Sequence, residues 1–284
     1  MIEVLPKWLV FGCGVLITLT GMMTLGAVLN RIFIGMAIRR LIASIGKESL
    51  PPFSSGLVAS LPEPIQRYFH YALKTGQPNI RYAVISQQAR FRHGPGRPWF
   101  DVTATEYLSG MEPGFVWDAR LTHRWYWWRT AILSYVQGRG RGYIKLFGSV
   151  TLQDVDGPET NVSMLFRILS EMVWLPTGLL PTKTLRWEAI DSTQAKATIV
   201  DGNTTVTAII HVNDVGQIDR IVTTDKYRDM KSGFEQTKFT LLCSEYQERD
   251  GVMIPTEVDF VWNLADGDFT YGEFNVLDIR YYVD

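Results

Sequence analysis

Val162-Ser163-Met164-Leu165-Phe166-Arg167-Ile168-Leu169-Ser170-Glu171-Met172-Val173 is the stretch on which the fold turns. Val162, Leu165, Phe166, Leu169, Met172 and Val173 recur at the spacing that lines one stripe of an α-helix. Asp156-Gly157-Pro158-Glu159, just upstream, reads as its start, an N-cap aspartate with a carboxylate three residues later. A helix with one apolar stripe has to bury it against another element, and what flanks this one on both sides is strand.

Upstream, segments near 82–92, 99–108, 114–120, 127–136, 142–147 and 149–155 are rich in Val, Ile, Thr and aromatic residues, and clusters such as His93-Gly94-Pro95-Gly96 and Glu112-Pro113-Gly114 punctuate them. A second series runs through 184–190, 194–200, 203–212, 217–227, 236–248, 252–264 and 269–283, with Asp201-Gly202, Asp250-Gly251 and Asp266-Gly267 as hairpin turns. Near the end Val258, Phe260, Trp262 and Leu264 alternate with Asp259, Val261 and Asn263, which marks one buried face. Short connections leave no room for crossover helices, so the pairing should be mostly antiparallel. A sheet of this many strands curls. The sequence therefore predicts a mainly β (α+β) fold, a strongly curved and mostly antiparallel sheet of about 11–13 strands with one or two helices in its concavity. The second helix is predicted over residues 61–73, where Ile65, Tyr68, Phe69, Ala72 and Leu73 share a face and Pro64 sits in the first turn. Gly138-Arg139-Gly140-Arg141-Gly142 reads as a turn.

The N-terminus has a different character. Trp8 to Leu29 carries no charge, and as a helix it would extend about 33 Å, enough for a hydrocarbon core of about 30 Å. The run is longer than the apolar region of a signal peptide and no small-x-small cleavage site closes it, so it reads as an uncleaved anchor. Lys7 precedes it, whereas Arg31, Arg39, Arg40 and Lys47 follow it. That asymmetry favours a single-pass protein with its C-terminal domain on the cytoplasmic side. Three parts result: residues 1–43 as transmembrane helix and interfacial extension, 44–60 as a linker carrying Gly46, Pro51, Pro52 and Gly56, and 61–284 as a single β-rich soluble domain.

The 284 residues have a formal net charge of −1 and no basic stripe, which argues against a nucleic-acid partner. Of two cysteines, Cys13 lies in the apolar span and leaves Cys243 without a partner for a disulfide. His70, His93, His123 and His211 lie far apart and lack metal-ligand spacing, and no Gly-x-Ser-x-Gly elbow occurs. No catalytic residue, cofactor or metal site is expected. The ligand-binding or lid candidates are six. Trp125 and Trp127 lie in Trp125-Tyr126-Trp127-Trp128, flanked by Arg124 and Arg129, where alternation along a strand leaves one aromatic pair to line a cavity or face a membrane interface. Phe166 belongs to the helical stripe. Glu171 follows Arg167 by four residues and reads as a rim ion pair, or as a buried one if the sheet covers the helix. Trp174 and Leu179 flank Pro176-Thr177-Gly178, a proline-restricted turn that is either core or a lid.

Arg167 to Pro181, Arg186-Trp187-Glu188-Ala189-Ile190-Asp191, Leu61-Pro62-Glu63-Pro64-Ile65-Gln66-Arg67-Tyr68 and Pro113-Gly114-Phe115-Val116-Trp117-Asp118-Ala119 together resemble an uncharacterised bacterial family of membrane-anchored proteins, a domain of unknown function. The resemblance runs from about residue 61 to the C-terminus and implies no activity. The predicted topology is similar to the half-barrel of bacterial lipoprotein carriers. Three functions follow as expectations. The first is a membrane-anchored, non-catalytic domain that binds an apolar ligand such as a lipid or acyl chain. The second is a scaffold or assembly partner of membrane proteins with no ligand cavity, its protein partner unspecified. The third is an enzyme using carboxylates such as Glu106, Asp118, Glu171 and Asp191.

Overall fold

The computed structural model describes residues 6–46, 48, 50–124, 127–230 and 233–283. Among these residues three α-helices occur: α1 (Lys7–Ser44), α2 (Glu63–Ala72) and α3 (Pro158–Glu171). Six strands precede α3: β1 (Ile80–Phe91), β2 (Phe100–Ser109), β3 (Phe115–Arg124), β4 (Trp127–Val136), β5 (Arg139–Leu146) and β6 (Val150–Asp156). Nine follow it: β7 (Leu185–Ala189), β8 (Gln194–Asp201), β9 (Thr204–Val212), β10 (Ile218–Thr223), β11 (Tyr227–Met230), β12 (Gly233–Gln236), β13 (Phe239–Arg249), β14 (Val252–Leu264) and β15 (Gly267–Val283). Thirteen of them form one antiparallel sheet in the order β6-β5-β4-β3-β2-β1-β15-β14-β13-β10-β9-β8-β7. The expected large antiparallel sheet is therefore present, with the chain's last strand inserted at its centre beside β1.

Register shifts between Ser86 and Gln87, Thr122 and Arg124, Ile144 and Lys145, and Phe260 and Val261 bend the strands. At Asp250 and Gly251 both φ angles are positive, 47° and 82°, as the tight hairpin turn from β13 to β14 requires. α3 lies across the inner face and packs on β4, β5, β6 and β8, β9 alike, while α2 packs on β8, β9 and β14. Gly140 and Gly142 let α3 approach. A Cβ at Gly140 would come within 3.0 Å of the Thr160 carbonyl oxygen and 3.1 Å of Met164.

Four local expectations change. The Gly138–Gly142 segment turns only at Gln137 and Gly138, and Arg139 onward is β5, because small residues there are needed under the helix. Asp156 does not cap α3: the cap is Gly157 at φ 106°, a conformation L side chains rarely adopt, followed by Pro158 at the first helical position. Residues 217–227 do not make one strand. Asp225 accepts hydrogen bonds from the Thr207 amide and hydroxyl at 2.8 Å each, which ends β10 at Thr223, and the chain leaves the sheet to form the separate hairpin β11-β12. Finally, the segment between α1 and α2 is docked. Phe53 and Val58 are buried in the core cluster, and the Phe53 amide and carbonyl pair with Gln77 and Gly76.

The second half of α1 is also docked. Ile34 is buried against Ile132 and Tyr143 on the outer face of β4 and β5, and Arg31 pairs with Asp118 of β3 at 3.0 Å. Leu41 closes on Gly114. At its end the Gly46 amide donates to Glu112 at 2.8 Å and its carbonyl accepts from Arg81. The first half, from Phe11 to Leu29, is almost wholly exposed. α1 is long and apolar enough to cross a membrane.

Candidate functional site

One end of the curved sheet is filled and the other is hollow. At the filled end α2 contributes Ile65, Tyr68 and Phe69, all fully buried, and the turns after α3 contribute Trp174, Leu175 and Leu179. Trp174 donates from Nε1 to the Pro255 carbonyl at 3.1 Å, and its own carbonyl accepts from the Tyr281 hydroxyl at 2.8 Å. The Leu179 carbonyl accepts from Trp187 Nε1 at 3.0 Å. Both sequence candidates in this turn thus sit in the core, and neither lines the hollow.

The hollow is a cavity of about 520 Å³ between α3 and the strand ends, within the usual range of about 300–1,000 Å³ for small-molecule sites. Its walls are largely aromatic and aliphatic: Phe166 and Met164 from α3, Trp117 and Leu133 from one flank, Phe239 and Phe260 from the other. The rings interlock. Phe239 meets Phe166 edge-on at 5.7 Å and Trp262 at 4.8 Å, and Phe260 lies 4.6 Å from Phe274. Period-two alternation in β13, β14 and β15 aims these side chains inward.

Besides Arg92 and Arg228 at its edge, two cations interrupt the apolar wall deeper in, Arg167 and Lys226. Arg167 is buried, and its Nε donates to Glu171 at 2.8 Å while Nη2 donates to Glu106 at 3.0 Å. Its guanidinium also lies over the rings of Phe115 and Trp117, at 4.7 and 4.9 Å. Behind it Gln87 donates to Glu106 at 2.9 Å and accepts from Trp117 Nε1 at 2.9 Å. Two partners of Arg167, Glu106 and Trp117, are therefore themselves fixed. One positive charge faces two carboxyls in this cluster, and burial pushes Glu171 well above the ordinary carboxyl range, with Arg167 opposing and Glu106 adding to the rise.

Lys226 is the second cation. It comes from the segment between β10 and the β11-β12 hairpin and is mostly removed from water. Its Nζ sits over Phe239 at 4.8 Å and Phe166 at 5.5 Å, and no carboxylate lies within ion-pair distance among the described residues. Burial, with a contribution from Arg167, pushes its ammonium down to about 8. An ammonium lining an apolar cavity, set on two ring faces with Arg167 and Glu171 acting on it in opposite senses from farther off, is poised for an anionic group. The β11-β12 hairpin carries Arg228 and Asp229 along the cavity's edge, tied down by Gln153 donating to Asp229 at 2.6 Å and by the Ser163 hydroxyl accepting from the Tyr227 amide at 3.0 Å.

Of the six sequence candidates, the structure brings Phe166 and Glu171 to this region, Phe166 in the wall and Glu171 behind Arg167. Trp125 lies outside the described residues, and Trp127 is placed as backbone at the start of β4. Its neighbour Trp128 packs on Arg120 and Phe147 on the rim. Of the four carboxylates weighed for an enzyme, Glu106 and Glu171 meet, whereas Asp118 pairs with Arg31 on the outer face and Asp191 folds into the turn after β7. No group of three or more potential metal ligands occurs among the described residues. Sequence reading missed Lys226, which sits in no motif and on no periodic face, and Gln87, which shares the buried face of β1 with Ala83, Ile85 and Ala89 but is polar and so did not stand out.

These features define a large curved antiparallel sheet wrapped on helices, with an apolar cavity at one end. Residues 51–274 match a family described as a family of unknown function, DUF6544, and the chain belongs to it. No curated protein matches the chain. Among solved structures it is similar to a LolA-superfamily protein from Nitrosomonas europaea, with 12% identity, a TM-score of 0.41, and coverage of 77% of this chain and 92% of that one. It is also similar to a DUF1329-family protein from Desulfovibrio piger, with 10% identity, a TM-score of 0.43, and coverage of 82% and 94%.

Proposed function

We propose that this protein is a membrane-anchored, non-catalytic domain that holds the apolar chain of an amphiphile, such as a fatty acid or lipid, in the cavity between α3 and the sheet, with the amphiphile's anionic group at Lys226. The observation that carries this reading is the combination of a wall of aromatic rings with one ammonium that has no carboxylate within ion-pair distance among the described residues. An apolar chain would bury the ring faces, and a carboxylate or phosphate would supply the missing counter-charge. Arg167 is the weaker candidate for that role, because Glu106 and Glu171 already supply carboxyl partners at its Nε and Nη2.

In the same reading α1 is the anchor, residues 1–43 being the membrane helix with its extension and the rest the ligand-binding domain. The Lys and Arg balance around Trp8–Leu29 supports a cytoplasmic domain. Native mass spectrometry of the full-length chain in mild detergent tests the reading, together with titration of a dansyl-labelled long-chain fatty acid. Saturable binding that weakens at least tenfold in Lys226→Met is the expected outcome. A chain that carries no lipid, binds no probe and recovers a defined membrane protein on pull-down would replace it with the scaffold reading.

A further inference from the structure

Helix α1 fixes which way the cavity opens. Its docked half runs the length of the sheet on the outside, from Ser149 in the turn between β5 and β6, whose hydroxyl donates to the Met23 carbonyl, to Glu112 in the turn between β2 and β3, which accepts from the Gly46 amide. From Gly26 to Gly46 a helix rises about 30 Å, and β4, with 10 residues, spans about the same. The turns at residues 92–99, 147–149 and 265–266 all lie at the Ser149 end, and this is the end at which the cavity is lined by Arg92, His93, Gly94 and Phe269. The apolar half of α1 therefore projects beyond the cavity's mouth, not beyond the filled end.

We infer that the mouth of the cavity is pressed against the same bilayer that α1 enters, so that an acyl chain passes between leaflet and cavity without crossing water. The inference rests on the reading of α1 as a membrane anchor. Trp8 to Gly26 covers about 28 Å as a helix, nearly the full hydrocarbon thickness, and this places the Ser149 turn at the boundary between acyl chains and head groups. A Cβ on Gly26 would come within 2.8 Å of the Ser149 hydroxyl, so rim and helix touch with nothing between them.

The rim is dressed for that location. Arg92 stacks on Trp99 at 4.4 Å, Arg129 on Phe100 at 5.7 Å and Arg120 on Trp128 at 4.7 Å. Aromatic rings paired with arginine settle at the head-group level, the ring in the boundary and the guanidinium toward phosphate. Val150, at 53% exposure, with Met230 and Phe234 at 39% and 41%, adds apolar surface around the same opening. Of the acids at this end, Asp229 is held by Gln153 and Asp268 by Asn263, while Asp101 and Asp266 are exposed.

The test uses the full-length chain, with Cys13→Ala as background and the buried Cys243 left in place, in phosphatidylcholine and phosphatidylglycerol vesicles containing brominated acyl chains. An environment-sensitive fluorophore is placed at Val150→Cys on the rim or at Lys74→Cys beyond the filled end. Loss of most of the fluorescence at Val150→Cys with none at Lys74→Cys is the expected result. Equal quenching at the two sites, quenching at Lys74→Cys alone, or none at either in vesicles that float with the protein would overturn the orientation while leaving the anchor intact. A protein that fails to float with the vesicles would overturn the anchor, and the orientation with it. Ligand binding in detergent is unaffected by any of these outcomes, so the two readings fail separately.

Discussion

Glu171 shows how one side chain links burial to pH. Its folded carboxyl is raised well above the ordinary 4.5, so over the window from about that value up to the raised one the folded state keeps a proton that the unfolded chain has released. Stability must fall as pH rises through that window. Glu171→Gln, which keeps the shape and removes the titration, should flatten the dependence in urea melts run between pH 4 and pH 8, and an unchanged slope would show that Glu171 stays charged. Arg167→Met should be far more damaging, about 3–5 kcal/mol, because it leaves Glu106 buried without its counter-charge. Lys226 works in the opposite sense. With its ammonium down at about 8 against an ordinary 10.5, it is charged at neutral pH and loses its charge as pH rises past 8. Affinity for a carboxylate-bearing amphiphile should therefore weaken above pH 8, whereas affinity for an alcohol of the same chain length should not.

Among the elements, α3 carries the architecture. Phe166 is 1% exposed and wedged against Phe239, so Phe166→Ala should cost about 3–5 kcal/mol in denaturant melts. Ser163 looks like a tolerant surface position in the sequence, but its hydroxyl accepts from the Tyr227 amide, and Ser163→Ala should cost about 1 kcal/mol while loosening the β11-β12 hairpin. The contrast indicates what the sequence made legible. Strands with strict alternation, such as β14, and the stripe of α3 announce themselves because burial on one face imposes a period. The hairpin β11-β12 did not, since Tyr227, Arg228, Asp229 and Met230 alternate nothing, and its departure from the sheet depends on Asp225 reaching Thr207, a contact between residues far apart in the chain. Glu171 and Arg167 were legible as an i,i+4 pair, but their burial was not, because that depends on Glu106 arriving from β2.

At the scale of the whole molecule, α1 belongs to two environments. Ile34, Leu41 and Ile45 are at most 5% exposed against the sheet, and deleting residues 1–50 would bare Ile132 and Tyr143. A chain beginning at Asn30 should accordingly melt several degrees higher than one beginning at Pro51, and equal midpoints would mean that the docked half adds nothing. Among the described residues the sheet does not close: β6 and β7 are its two ends, with no ladder between them, and α3 lies across the gap. The molecule is thus a strip wound on a peg, and its girth is set by what the strip encloses instead of by a fixed number of hydrogen bonds. A seam of this kind can widen by a sliding of α3 without breaking a single strand pair, so one chain could accommodate occupants of different bulk. Amide exchange should be fastest along β6 and β7 and slowest in β1, β14 and β15, and a bulkier occupant should speed exchange at the seam alone.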